Sequence, residues 1–175
     1  VNVRPIEPTD AARYESILAR TSHQDRYCRF FHSVDHFSAQ EVERFVNLGS
    51  DMLGFIALGE DGSPLGVAHG SLIDAETAEF AIVVAQDARR KGVGKALFLR
   101  LIDELRARGH RHVIGYALAG NLALTNLAKS VGMRSPGVEG IVRTWSLGDA
   151  DALPADQEPA ALKNGRIPFP PLLAE

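Results

Sequence analysis

Apolar residues recur every third or fourth position in some stretches and every second in others, and the switches of period mark out the elements. Residues 1–4 read as a short strand closed by Pro5 and Pro8. Thr9 or Asp10 stands where a cap belongs, before a helix reaching about Arg20 with Ala12, Ile17 and Leu18 among its apolar positions. From 21 to 37 charged and aromatic residues mix, and a loop is expected. Ser38 with Glu41 three residues on is a capping-box pattern for a helix to about Leu48, stopped by Gly49. Strands are expected at 52–58, 64–73 and 78–84, joined by the turns Glu60-Asp61-Gly62-Ser63 and Asp74-Ala75-Glu76. Val93, Ala96, Leu97, Leu101, Ile102 and Leu105 then form a helical stripe, with Glu104 and Arg108 one turn apart on the polar side and Gly109 as the stop. A strand at 113–118, a helix at 121–131 ending at Gly132 and a strand at 141–147 complete the pattern. Past residue 148 the composition turns to Pro, Ala and polar residues, so the chain divides into a folded domain, 1–148, and an extended tail, 149–175.

The 175 residues suit one domain with a sizeable core, and 45% hydrophobic with 23% charged residues is ordinary for a globular protein. A net charge of −3 argues against nucleic-acid binding by bulk electrostatics. No apolar stretch approaches membrane-spanning length, so no membrane partner is expected. Cys28 is the only cysteine, which rules out an intrachain disulfide and makes a reducing cytoplasm the simplest home.

The most informative segment joins the strand at 78–84 to the helix that follows it. Arg89-Arg90-Lys91-Gly92-Val93-Gly94 and Lys95 form a basic, glycine-bearing turn. A helix start leaves backbone N–H groups without intrahelical partners, converging on one spot. Gly92 and Gly94 let a ligand approach the backbone, and Arg89, Arg90, Lys91 and Lys95 supply positive charge. The turn suits a polyanion such as a pyrophosphate. Two familiar phosphate loops fail on spacing. A Walker A loop ending at Gly94-Lys95 needs Gly at 89 and Ser or Thr at 96, where the chain has Arg89 and Ala96. A dinucleotide fingerprint starting at Gly92 needs a third glycine at 97, where the chain has Leu97.

What remains, Arg-x-x-Gly-x-Gly, resembles the pyrophosphate turn of the GNAT superfamily of acyl-CoA-dependent N-acyltransferases. The resemblance covers roughly residues 3–147, most of the chain, and is strongest from Glu79 to Met133. It implies an α/β (α+β) fold, a mixed central sheet flanked by helices, with acetyl-CoA as cosubstrate and no metal. It also implies that the strand Glu79-Phe80-Ala81-Ile82-Val83-Val84 hydrogen-bonds the pantetheine arm and that Asn121 contacts that arm. Gly132-Met133 stands where family members usually have Gly-Phe. A narrower likeness, in Arg26-Tyr27-Cys28-Arg29-Phe30-Phe31 and Glu79-Phe80-Ala81, is to bacterial protein-lysine acetyltransferases that act on acyl-CoA synthetases. It makes a protein lysine the first acceptor to consider, with a small-molecule amine as the alternative. A non-catalytic acyl-CoA sensor on the same fold is a third reading. The assembly is expected to be a monomer or a homodimer formed through an edge strand near the C-terminus.

The chemistry sets demands on named residues. A primary amine has a pKa of about 10.4 and must lose a proton before it attacks. Glu79 is the candidate base, because it matches the catalytic glutamate of the narrower family; the bland alternative is a solvated carboxylate. Backbone N–H groups of Ile82, Val83 and Val84 are candidate donors to the developing oxyanion if the strand splays or bulges there. Many GNAT enzymes carry a tyrosine acid seven residues after the Asn, but here that position is Ala128. Tyr116 and Ser130 are possible substitutes, each more simply read as packing or surface. Tyr27, Arg29 and Phe31 are the acceptor-site candidates, and packing explains the aromatics equally well. His32 and His36 have helical metal-ligand spacing without a third ligand in sequence, and Trp145 reads as core.

Overall fold

The structure, a computed structural model, describes residues 1–30 and 35–148, apart from the side chains of Arg29 and Phe30. Seven strands form one sheet: β1 (Asn2–Pro5), β2 (Met52–Leu58), β3 (Pro64–Leu72), β4 (Thr77–Val84), β5 (His112–Leu118), β6 (Val138–Glu139) and β7 (Val142–Leu147). Their spatial order is β1-β2-β3-β4-β5-β7-β6, antiparallel throughout except for β4 and β5. A parallel neighbour needs a crossover. The chain supplies it with α4 (Val93–Ala107). The remaining helices are α1 (Ala11–Ala19), α2 (His23–Phe30), α3 (Ala39–Val46) and α5 (Leu122–Ser130).

The sheet separates two cores. On one face Ala78, Phe80, Val113 and Trp145 pack with Leu97, Phe98 and Leu101 of α4 and with Ala128 of α5. On the other, Ile56, Val67 and Val83 pack with Tyr14 and Ile17 of α1 and Val42 and Phe45 of α3. Alternation along β4 therefore sends Phe80 toward α4 and its odd-numbered neighbours toward the α1–α3 side. The expected stripe of α4 is buried, with Phe98 taking the inward place given to Ala96. Glu104 pairs with Arg108 at 3.0 Å, as its spacing predicts.

Three expectations need correction. The segment expected as loop contains α2. It is too polar for hydrophobic periodicity to reveal, but Ser22 and Asp25 cap it reciprocally: Ser22 N–H donates to Asp25 Oδ2 at 2.8 Å and Asp25 N–H to Ser22 Oγ at 3.1 Å. Neither Thr9 nor Asp10 caps α1 with its side chain. A 3-10 turn, Pro8–Asp10, precedes that helix, and the fully buried Asp10 carboxylate instead takes Arg4 at 2.6 and 2.7 Å, Arg13 at 3.0 Å and the Glu7 N–H at 3.0 Å. Finally, β6 is a two-residue exposed strand that no sequence period could show. Ser38 and Glu41 form the expected capping box of α3. Residues 149–175 and Phe31 lie outside the described residues.

Candidate active site

The site opens where two strands part. β4 and β5 pair only through Thr77↔His112, Ala78↔Val113 and Glu79↔Ile114. Beyond that point β4 continues against β3 as far as Val84, and β5 continues against β7 as far as Leu118. The edge of β4 from Phe80 to Val84 thus faces a gap, and along a strand alternate residues present their N–H and C=O to that edge. Phe80 and Gly115 are the first positions past the last pair. A Cβ at Gly115 would lie 2.1 Å from the Phe80 ring, so glycine there makes room for the ring, which also packs edge-on against Phe98 at 4.9 Å. The gap opens into a cleft of about 560 Å³ that runs from Glu79 to the glycine turn.

At the turn, Gly92 is the N-cap of α4 with φ 80°, in the left-handed region that favours glycine. The first turn-closing bond runs from Ala96 N–H to the Gly92 carbonyl, so the amides of residues 92–95 start the helix without helical acceptors. At Gly94 a Cβ would meet Leu127 and Val84 at an ordinary 3.6 Å. Packing therefore does not demand glycine at Gly94, and its bare backbone leaves the helix start open to a ligand. Arg89, Arg90, Gly92, Val93, Gly94 and Lys95 line the cleft, while Lys91 stays outside it, exposed. Arg90, Lys91 and Lys95 form no ion pair with the described residues. Arg89 is different: its guanidinium pairs with Asp25 of α2 at 2.8 Å and donates from Nε to the Val84 carbonyl at 3.3 Å. Burial works to raise the Asp25 carboxyl, but Arg89 and Ser22 outweigh it and hold its pKa below the usual carboxylate value. Arg20 reinforces this junction, its carbonyl accepting from Gln86 N–H at 2.9 Å and its side chain pairing with Asp87 at 3.0 Å.

At the other end, Glu79 is buried, with 8% of its surface exposed, which corrects the reading of it as a solvated strand-end carboxylate. It is the third residue of β4 and lines the cleft together with Ala81, Ile82, Val83 and Val84. Tyr116 lines the same end, half-buried; burial first, and then the charge of Glu79, push its phenol up to about 12. Tyr27 sits on α2, exposed, and does not line the cleft. The Arg29 side chain lies outside the described residues, as do Phe31 and His32.

The far wall is α5. Asn121 lines the cleft; its side-chain oxygen accepts from Leu124 N–H at 3.0 Å as the helix N-cap, which leaves its amide nitrogen free to donate to a ligand. Ala128 is buried in the core at 1% exposure and brings no polar group to the cleft. The Ser130 hydroxyl bonds the Leu127 carbonyl at 2.8 Å and is not part of the lining. Sequence reasoning missed Asp25, Leu124, Asn126 and Leu127 as lining residues, and Cys28, part of the narrower likeness, lines the cleft too. The Ser22–Asp25 cap was legible; its partnership with Arg89 arises only when α2 folds against the turn.

A family model described as Acetyltransferase (GNAT) family matches residues 18–133, well over half of the chain. An acetyltransferase of Pseudomonas aeruginosa is 26% identical over 144 residues, covering 78% of this chain and 77% of the relative. Among solved structures, the GNAT domain of S. lividans PAT superposes with a TM-score of 0.77 at 26% identity, covering 83% of this chain and 88% of that one. The ribosomal-protein-S18-alanine N-acetyltransferase of Escherichia coli shares the fold at 23% identity, with a TM-score of 0.64 over 83% of this chain and 92% of that one. With its splayed parallel pair and glycine-capped crossover helix, this chain belongs to the GNAT family and is an N-acetyltransferase.

Proposed function

We propose that this protein moves an acetyl group from acetyl-CoA to a primary amine, first among them a protein lysine, by direct attack with Glu79 as general base. The observation that carries this reading is a buried carboxylate at the throat of the strand splay, in one cleft with the open helix start at Gly92. Acetyl-CoA is the donor used across the family, and the residues present suit it. The 92–95 amides, with Arg90 and Lys95 beside them, form an anion cradle, and the exposed β4 edge suits the amides of a pantetheine arm. The Asn121 amide nitrogen and the apolar Leu124 and Leu127 line the opposite wall.

Glu79 takes the proton that keeps the amine from attacking, directly or through one water. An edge N–H in the stretch from Ile82 to Val84 faces the place where negative charge gathers on the thioester oxygen. The pairing of Arg89 with Asp25 assigns Arg89 to holding α2 against the turn, while Arg90 and Lys95 carry the phosphate charge. The protein-lysine acceptor rests on the likeness in 26–31 and 79–81, and is supported by the superposition on the GNAT domain of S. lividans PAT. The deciding experiment supplies acetyl-CoA with lysine-bearing proteins, including acyl-CoA synthetases, and separately with polyamines, aminoglycosides and amino acids, following free thiol and product mass. Acetyl-lysine on a protein is the expected product. Transfer to small amines alone removes the protein-lysine acceptor, and thiol release with no acetylated amine removes the reaction.

A further inference from the structure

The usual tyrosine acid of the α5 helix is replaced by the core residue Ala128, yet the cleft still contains one hydroxyl. Among the described lining residues only Tyr116 carries an O–H. It lies on β5 two residues beyond Ile114, the last partner of β4, which places it about 7 Å further into the splay than the row of Glu79. Alternation puts it on the same sheet face as Glu79, the face that α2 covers, because Val113 and Ala117 point to the α4 core. Its hydroxyl makes no hydrogen bond with any described residue. By contrast, the Cys28 sulfur already accepts from Gln24 at 3.4 Å and Asp25 is committed to Arg89. A half-buried phenol that lines the cleft near Glu79, with no acceptor for its O–H among the described residues, has a place in the chemistry.

That place depends on whether the phenol gives its proton away or only shares it. A thiol has a pKa of about 8.5 and a free phenol about 10, and burial pushes the Tyr116 phenol up further, so full transfer to a thiolate runs uphill. Sharing carries no such cost.

Building on the acetyl-transfer reading, we propose that Tyr116 donates a hydrogen bond to the departing sulfur and keeps its proton throughout turnover. The amine lone pair forms the new C–N bond, the C–S bond breaks with its electron pair going to sulfur, and the amine proton passes to Glu79. The thiolate, steadied by the Tyr116 O–H, is then protonated by that carboxylic acid or by solvent. Glu79 restores its charge in the first case, and the phenol is unchanged in both.

The test is Tyr116→Phe, with thermal melting as a check on folding. Against the amine that the parent protein acetylates, kcat is expected to fall about tenfold while KM for acetyl-CoA stays within twofold. The thiol of bound CoA, titrated by thiolate absorbance without any acceptor, is expected to ionise about 0.7 pH unit higher in the variant. A kcat within twofold of the parent, or an unmoved thiol titration, overturns the proposal. If the Phe variant misfolds, 3,5-difluorotyrosine at 116 keeps the shape and lowers the phenol pKa. Activity must then fall on the alkaline side as the phenol ionises and loses its donor, and an unaltered alkaline profile overturns the proposal. Failure of the parent to acetylate any amine is a separate result that strikes the acetyl-transfer reading, because the thiol titration needs no acceptor.

Discussion

The two edges of β4 are made from the same eight residues and do different work. Toward β3 the strand is paired in register along nearly its whole length, from Ala78↔Leu72 to Val84↔Gly66. Toward β5 the pairing ends after Glu79, and the rest of the edge lines a cleft. Complete pairing satisfies the backbone and leaves it nothing to offer. Interrupted pairing leaves hydrogen-bonding groups and a buried carboxylate facing the place where a substrate would lie. Within this sheet, the cleft is located by where a ladder stops rather than by residue type.

The sharpest way to break the comparison is at the throat. Glu79→Gln keeps shape and hydrogen-bonding capacity but removes the base, and kcat is expected to fall about 100-fold with acetyl-CoA affinity little changed. Steady-state kinetics with a calorimetric titration checks both, and an unchanged rate takes Glu79 out of the mechanism. Next is the wedge. Gly115→Ala places a methyl group against the Phe80 ring and is expected to cost about 2 kcal/mol, read by denaturant unfolding, with a fall in kcat/KM as the splay closes or shifts. Full activity with lost stability would separate the ring from the shape of the cleft.

The gentlest variant lies on the fully paired side of the sheet. Asp10 is held down to about 2 chiefly by its hydrogen bonds with Arg4, against the opposing effect of burial and with help from the Glu7 amide and Arg13. A depressed carboxyl contributes stability above its unfolded value of about 3.9 and loses it as pH falls toward 2. Asp10→Asn is expected to cost on the order of 2 kcal/mol at neutral pH, with kcat of the folded enzyme unchanged. Unfolding curves of parent and variant should stay a constant distance apart above about pH 5 and converge toward pH 2. Curves separated equally at every pH would show that the ion pairs contribute nothing.

Much of this was legible from local rules. Ser38 and Glu41 announced α3, the apolar stripe announced α4, and Gly92 and Gly94 announced a helix start open to an anion. α2 was missed because most of its residues are polar and its few apolar members, Tyr27, Cys28 and Phe30, fall in its second half, too short a stretch for a period to stand out; the Ser22–Asp25 cap marks its start. Arg89 reads as a phosphate ligand from its place in Arg-x-x-Gly-x-Gly, and its pairing with Asp25 of α2 could not be read from the motif. Likewise Ala128 could be seen to lack a hydroxyl, but that its position points into the core is a property of how α5 docks.

By itself the chain determined most of its helices and strands, the basic glycine turn and the presence of a carboxylate at 79, because capping, periodicity and backbone freedom are matters of neighbours a few residues apart. Only the tertiary structure decided that Glu79 is buried, that β4 and β5 separate just past it, and that Tyr116 shares its cleft. Those facts depend on residues brought together from distant parts of the chain. No local period encodes the place where two strands part.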